Sequence, residues 1–352
     1  MSDSTCEHRF GFTFMELLVV ISVLGILLAV LLPAVQSVRA EARQTQCLNN
    51  LRQQVLGIHN YESAHMELPQ AAGYGRNDGE IPETTDRYSG FLAFFMFTAR
   101  YRGPMFDSEV EHEGQLFPAY PDVDTVKYPL WSQQPHAMLC PDIPVTESEF
   151  GMVHYTFSIG DVARNVHHPE SIRGAFAVGR ARKLEDITDG TSNTVALVEM
   201  GGVGERSAGR RFAIDQPESM LTNPALATAL IDRSHRYRTS VSLGQKIRGG
   251  NWADGTGGPG LVSTILPPGS PTLLVGGSSA VDGLFSGSVN HPAGCGVGFC
   301  DGAVKFIAAD IDAGDLTHPT NSALELEGIE SHYGVWGAMG SANGNESQQS
   351  GF

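Results

Sequence analysis

From Phe12 to Leu32 the chain reads FTFMELLVVISVLGILLAVLL, an apolar run interrupted by one charge, Glu16. At 1.5 Å per residue this stretch makes about 31 Å of helix, enough to cross a hydrocarbon core of about 30 Å. A helix buried in a protein core would show a polar face, yet from Leu17 to Leu32 only Ser22 is polar. A cleaved secretory signal would begin basic and leave through small residues. Here Asp3, Glu7 and a single Arg9 precede the run, and Leu31-Leu32-Pro33-Ala34-Val35 follow it. The pattern then changes without ending. Val35, Val38, Ala42, Thr45, Leu48, Leu51, Val55 and Ile58 recur at steps of three or four, with Arg39, Glu41, Arg43, Gln44 and Arg52 between them. The two parts predict one helix of about 50 residues, lipid-compatible first and single-striped afterwards. Pro33 stands at the join, where a residue without an N–H should kink the rod.

Beyond Tyr61 the pattern breaks into short alternating runs separated by glycine and proline. Residues 73–90 read as a loop, and 91–97 (FLAFFMF) as a buried segment too short to span a membrane. Residues 104–150 show no periodicity. Ala175–Val178, Thr194–Glu199 and Gly283–Val289 are strand candidates, and the last dozen residues read as a frayed polar tail. The clearest element is a hairpin over Cys295–Ala308, with Asp301-Gly302 as a type I′ turn. That turn pairs Phe299 with Val304 and Val297 with Phe306. It puts Cys295, Val297, Phe299, Val304, Phe306 and Ala308 on one face, and Gly296, Gly298, Lys305 and Ile307 on the other. The fold class is therefore α+β: a long N-terminal helix packed on an antiparallel, β-rich head.

Composition sharpens this picture in three places. Glycine, at 41 of 352 residues, suits a turn-rich β architecture. A net charge of −16 argues against a surface that tracks nucleic-acid phosphates, so no nucleic-acid partner is expected. Five cysteines without any C-x-x-C argue against a zinc ribbon or a thioredoxin-type motif. Cys295 and Cys300 point to opposite faces of one strand and cannot bridge each other. Cys47 lies where the helix should meet the head and Cys140 opens a proline-containing loop, so a Cys47–Cys140 bond would tie loop to helix. Two independent buried thiols are the alternative.

The residues around the apolar run carry a resemblance. Gly11-Phe12-Thr13-Phe14-Met15-Glu16-Leu17-Leu18 is similar to the prepilin-type cleavage and methylation motif of type IV pilins and type II secretion pseudopilins. The resemblance implies cleavage after Gly11 by a prepilin peptidase, methylation of the new Phe12 amine, and Glu16 facing the N-terminal amine of a neighbouring subunit. On this reading residues 1–11 are a leader, 12–60 the pilin-like helix with a transmembrane segment at 12–32, and 61–352 the head. The partners implied are the peptidase, other pilin-like subunits met through the helix, and inner-membrane lipid. The place implied is the bacterial inner membrane, single-pass, head in the periplasm, with a surface or periplasmic fibre as the assembled form.

A second resemblance lies near the C-terminus. His291 with Asp301-Gly302 resembles the His-x9-Asp-Gly signature of the pilin-like proteins grouped as domain of unknown function 1559. Cys47-Leu48-Asn49-Asn50-Leu51, Leu139-Cys140-Pro141-Asp142, Asp189-Gly190-Thr191-Ser192-Asn193 and Tyr333-Gly334-Val335-Trp336-Gly337 extend it over most of the chain. That family also carries a label suggesting solute binding. A membrane-anchored binder of an exported solute or carbohydrate is accordingly the rival to a pilus or pseudopilus subunit.

Candidate chemistry is sparse. His291 and Asp301 are candidate metal ligands or an acid/base pair, against the plainer reading that Asp301 serves its turn and His291 the strand entry. Asp189 likewise reads as a turn residue bonding its own backbone. Asp310, Asp312 and Asp315 fall short of an EF-hand and read as a solvated loop, with calcium as the alternative because related pseudopilins use it. Gly255–Gly260 matches G-x-G-x-x-G in form, but Pro259 makes it a loop. Neither G-x-S-x-G nor H-E-x-x-H occurs. No cofactor and no enzymatic activity are expected.

Overall fold

The computed structural model describes residues 14–73, 87–91, 109–118, 121–145, 148–167, 170–277, 282–291 and 294–346. The chain divides into two compact units, residues 1–45 and 46–352. One helix, α1 (Phe14–His65), begins in the first and ends in the second, and Pro33 lies inside it. In the first unit the apolar side chains from Phe14 to Leu32 are all exposed, and the most apolar stretch has no residue buried. The second unit buries the other end of the helix through Cys47, Asn50, Leu51, Gln54, Val55, Gly57 and Ile58.

Among the described residues the head holds three small sheets. Strands β1 (Val110–His112) and β2 (Gln115–Phe117) form an isolated hairpin in the segment that showed no periodicity. β3 (Tyr155–Phe157), β4 (Val195–Glu199), β8 (Gly294–Phe299) and β9 (Val304–Ala308) make an antiparallel sheet in the order β3-β4-β8-β9. β5 (Ala213–Gln216), β6 (Leu273–Val275) and β7 (Gly283–Leu284) make the third, in which β5 and β6 run parallel. The class is α+β, with antiparallel pairing dominant. Ala175–Val178 is not a strand: Ala177 and Val178 make only isolated bridges, to Arg180 and Ala72. The strand expected at Gly283–Val289 stops after Leu284.

Glycine at alternate positions of β8 explains how α1 reaches the four-stranded sheet. A Cβ on Gly296 would lie 3.1 Å from Leu48 Cδ2, and one on Gly298 would lie 2.6 Å from Val55 Cγ2. The bare face of the strand thus admits the helix stripe, and full burial of Leu51, Val55 and Ile58 stabilises the docking by about 1.5–3 kcal/mol each. Buried polar residues complete the seam. Asn50 Nδ2 donates to the Leu139 carbonyl (2.7 Å), Gln54 Nε2 to Ala137 (2.9 Å), and Tyr155 Oη to the carbonyl of Cys47 (3.0 Å). The opposite face of the sheet, with Val195, Val198, Cys295, Val297 and Phe299, packs on Val262 and on Trp336 and Met339 of the helix Gly334–Gly340.

The β8–β9 register is one residue away from the type I′ pairing. Gly298 opposes Val304, Val297 opposes Lys305 and Cys295 opposes Ile307. The Gly302 N–H donates to Phe299 O, the Phe299 N–H donates to Ala303 O, and Gly302 has φ +92°. This is a type I turn followed by a left-handed glycine bulge, which adds one residue to the loop. A one-residue slip flips the faces. Val304 and Phe306 therefore join the glycine face, while Ile307 and Lys305 join Cys295, Val297 and Phe299. The Lys305 ammonium sits 4.9 Å from the Phe299 ring centroid.

The polar tail is ordered at its start. Ser341 and Ala342 are fully buried. Ser341 Oγ and the Gly344 N–H both donate to Asp189 Oδ2 at 2.7 Å, so Asp189 holds the C-terminal segment rather than its own turn. Gly257–Gly260, expected as loop, is a single buried helical turn pressed by Phe212 and Phe285. Trp131, Trp252 and Trp336 are all fully buried in the cores.

Candidate functional site

Four distant segments meet where α1 enters the head. Cys47 of α1 and Cys140 are joined by a disulfide with Cα atoms 4.9 Å apart across 93 residues of sequence. Glu199 closes β4 and His291 precedes β8, and both reach the same place from the sheet. His291 Nε2 lies 3.1 Å from Glu199 Oε1 and 3.6 Å from Cys140 Sγ. His291 Nδ1 forms an ion pair with Asp142 at 2.9 Å. The second oxygen of Glu199 accepts the Gly296 N–H at 3.1 Å, and the Cys140 N–H donates to His154 Nδ1 at 3.0 Å. Cys47, Cys140 and Glu199 are no more than 1% exposed, and His291 is 3% exposed. One potential donor atom from each of these four residues lies within 4.8 Å of the others.

The electrostatics follow from burial and from the pair of carboxylates. Burial alone would lower the pKa of His291, but the hydrogen bond with Glu199 and the charges of Glu199 and Asp142 outweigh it and raise it. His154 has no such partner, and burial drives its pKa down to about 4, which keeps it neutral. Burial and the nearby Glu199 charge push the Cys295 thiol well up, so it is a protonated core residue. Cys300 is likewise a free, buried thiol raised by burial.

The structure does not bring His291 and Asp301 together. His291 is buried at the start of β8, whereas Asp301 is exposed on the turn beyond its end. At about 3.3 Å per residue the strand holds them roughly 20 Å apart. Asp301 Oδ1 accepts the Ala303 N–H at 2.8 Å, so it serves the turn. Two of the three aspartates of the 310–315 loop are spent similarly: Asp312 accepts from the Gly314 N–H and Asp315 from the Thr317 N–H and Oγ1. Among the described residues, the group with metal-ligand spacing is the cysteine–glutamate–histidine one and not Asp310, Asp312 and Asp315. Gly11 and Phe12 lie outside the described residues, and Glu16 is exposed in the first turn of α1. Sequence reasoning missed Glu199 and Asp142 as site residues, because only the sheet and the disulfide loop bring them to His291.

An open groove of about 600 Å³ runs beside this cluster, lined in part by Gln46, Asn50, Gln53, His136, Cys140 and Val145. These features define a class: an α+β head carried on a helix whose other end is long and apolar enough to anchor it in a membrane. Residues 36–314 match the family SBP_bac_10, described as a protein of unknown function (DUF1559), and the chain belongs to that family. No curated protein and no solved structure gives a significant match.

Proposed function

We propose that the chain is a non-enzymatic, pilin-like subunit of a type IV pilus or type II secretion pseudopilus, exported and anchored by its N-terminal helix. A prepilin peptidase cuts after Gly11, and the helix then meets other pilin-like subunits, with the head outside the inner membrane. The observation that supports this reading is the split use of α1. One end is apolar and wholly exposed, and the other is docked by Leu48, Leu51 and Val55 on a strand stripped to glycine at alternate positions.

The test is the native N-terminus. Mass analysis should find N-methyl-Phe12, and Gly11→Ala should leave a full-length, membrane-retained precursor. A wild-type chain beginning at Met1, or cut after Ala34, would refute the proposal. Glu16→Ala should insert normally yet fail to enter fibres, because its carboxylate serves contacts between subunits. A second reading, a membrane-anchored binder of a solute or carbohydrate, has the open groove beside Cys140 in its favour. Glycan-array binding lost on Gln53→Ala would favour it.

A further inference from the structure

We propose that Cys47, Cys140, His291 and Glu199 form a site for a divalent transition cation of the zinc class once the disulfide is opened. Metal would then clamp helix to head in place of the covalent bond. A disulfide needs only two apolar walls. This one lies against a buried imidazole flanked by two carboxylates, an arrangement that costs desolvation and adds nothing to an S–S bond. The same groups are what a tetrahedral cation requires.

Metal–sulfur bonds of about 2.3 Å and metal–nitrogen or metal–oxygen bonds of about 2.0 Å give ligand–ligand edges of roughly 3.3–3.8 Å. Two edges already stand near those lengths: Nε2 to Cys140 Sγ at 3.6 Å and Nε2 to Glu199 Oε1 at 3.1 Å. The two sulfurs must part to about 3.8 Å by side-chain rotation, and the remaining edges, all within 4.8 Å, need only close to the tetrahedral range. The outer ring of contacts is in place as well. Asp142 brings its charge to 2.9 Å from Nδ1, leaving Nε2 to Glu199 and Cys140, while the Gly296 N–H holds the far oxygen of Glu199. Two thiolates with an imidazole select zinc-like cations over magnesium or calcium. Cys140 borders the open groove, so of the four ligands it stands beside solvent-filled space.

The chemistry balances. A dithiol reductant delivers two electrons and two protons to the bond and leaves as its own disulfide. The cation then displaces both thiol protons and any proton on Nε2.

The test uses the full chain in detergent, reduced anaerobically with a phosphine, which becomes its oxide while water supplies the two protons. Thiol counting verifies the opening before Co²⁺ is titrated in. We expect one Co²⁺ per chain, with tetrahedral d–d bands and a thiolate charge-transfer band, displaced by an equivalent of Zn²⁺ and absent in the oxidised chain. His291→Ala and Glu199→Gln should each weaken binding at least tenfold. Asp142→Asn, at a partly exposed residue, should weaken it about 10- to 100-fold while the fold is kept. Cys295→Ser should leave it unchanged. A reduced, folded chain without the charge-transfer band overturns the proposal, as does a band that survives Cys47→Ser/Cys140→Ser. Full affinity in both His291→Ala and Asp142→Asn would overturn it too.

Discussion

The bond between Cys47 and Cys140 closes a loop of 93 residues, and its removal gives the largest effect the structure allows to be worked out in advance. The perturbation is Cys47→Ala/Cys140→Ala, which deletes both sulfurs and leaves no thiol to mispair. In the chain-entropy account, a closure of that length restricts the unfolded chain by about 15.6 cal/mol/K, or about 4.6 kcal/mol at 25 °C. A domain the size of the 46–352 unit loses roughly 2 °C of Tm per kcal/mol, so the expected fall is about 9 °C. The assay is thermal unfolding of the full chain in detergent, followed by circular dichroism without reductant. Wild-type chain reduced in the presence of a chelator should fall by nearly the same amount, because a cross-link, unlike packing, is lost equally by either route. A fall of less than 2 °C in the double variant would refute the reasoning. It would mean either that the two sulfurs are unbonded or that the unfolded chain already holds the segment near the helix.

Two further predictions concern the docking seam and the C-terminal segment. Gly298→Ala places a methyl 2.6 Å from Val55 Cγ2 and should cost about 1–3 kcal/mol; a second change, Val55→Ala, should recover part of that in a double-mutant cycle, and simple additivity would show the contact is absent. Burial pushes the Glu346 carboxyl up to about 7, against the Ser331 N–H and the Arg173 guanidinium that favour its charged form. Its folded pKa thus exceeds the ordinary carboxylate value, so the native state holds the proton more tightly. Stability should decline as pH rises from about 4.5 to about 7, and Glu346→Gln should flatten that slope in urea titrations. An unchanged slope would place Glu346 in water.

The sequence by itself determined the elements whose signal is local. The long helix was legible because a membrane-compatible run and a single-faced stripe are periodic in the chain alone. The β8–β9 hairpin was legible because glycine alternates with Cys295, Val297 and Phe299 around an Asp-Gly turn. What escaped was decided by contacts between distant segments. Whether Gly302 closes a two-residue turn or a bulged one is a choice of register, and an Asp-Gly pair is compatible with both. Asp189 reads as a turn residue until Ser341 and Gly344 arrive from the far end of the chain. The site is the extreme case: Cys47, the Cys140–Asp142 segment, Glu199 and His291 lie scattered over more than 240 residues, and no spacing links the four segments. His291 and Asp301, close in sequence, are held apart by the strand between them, because an extended backbone separates what it joins while a folded sheet unites what the chain keeps distant.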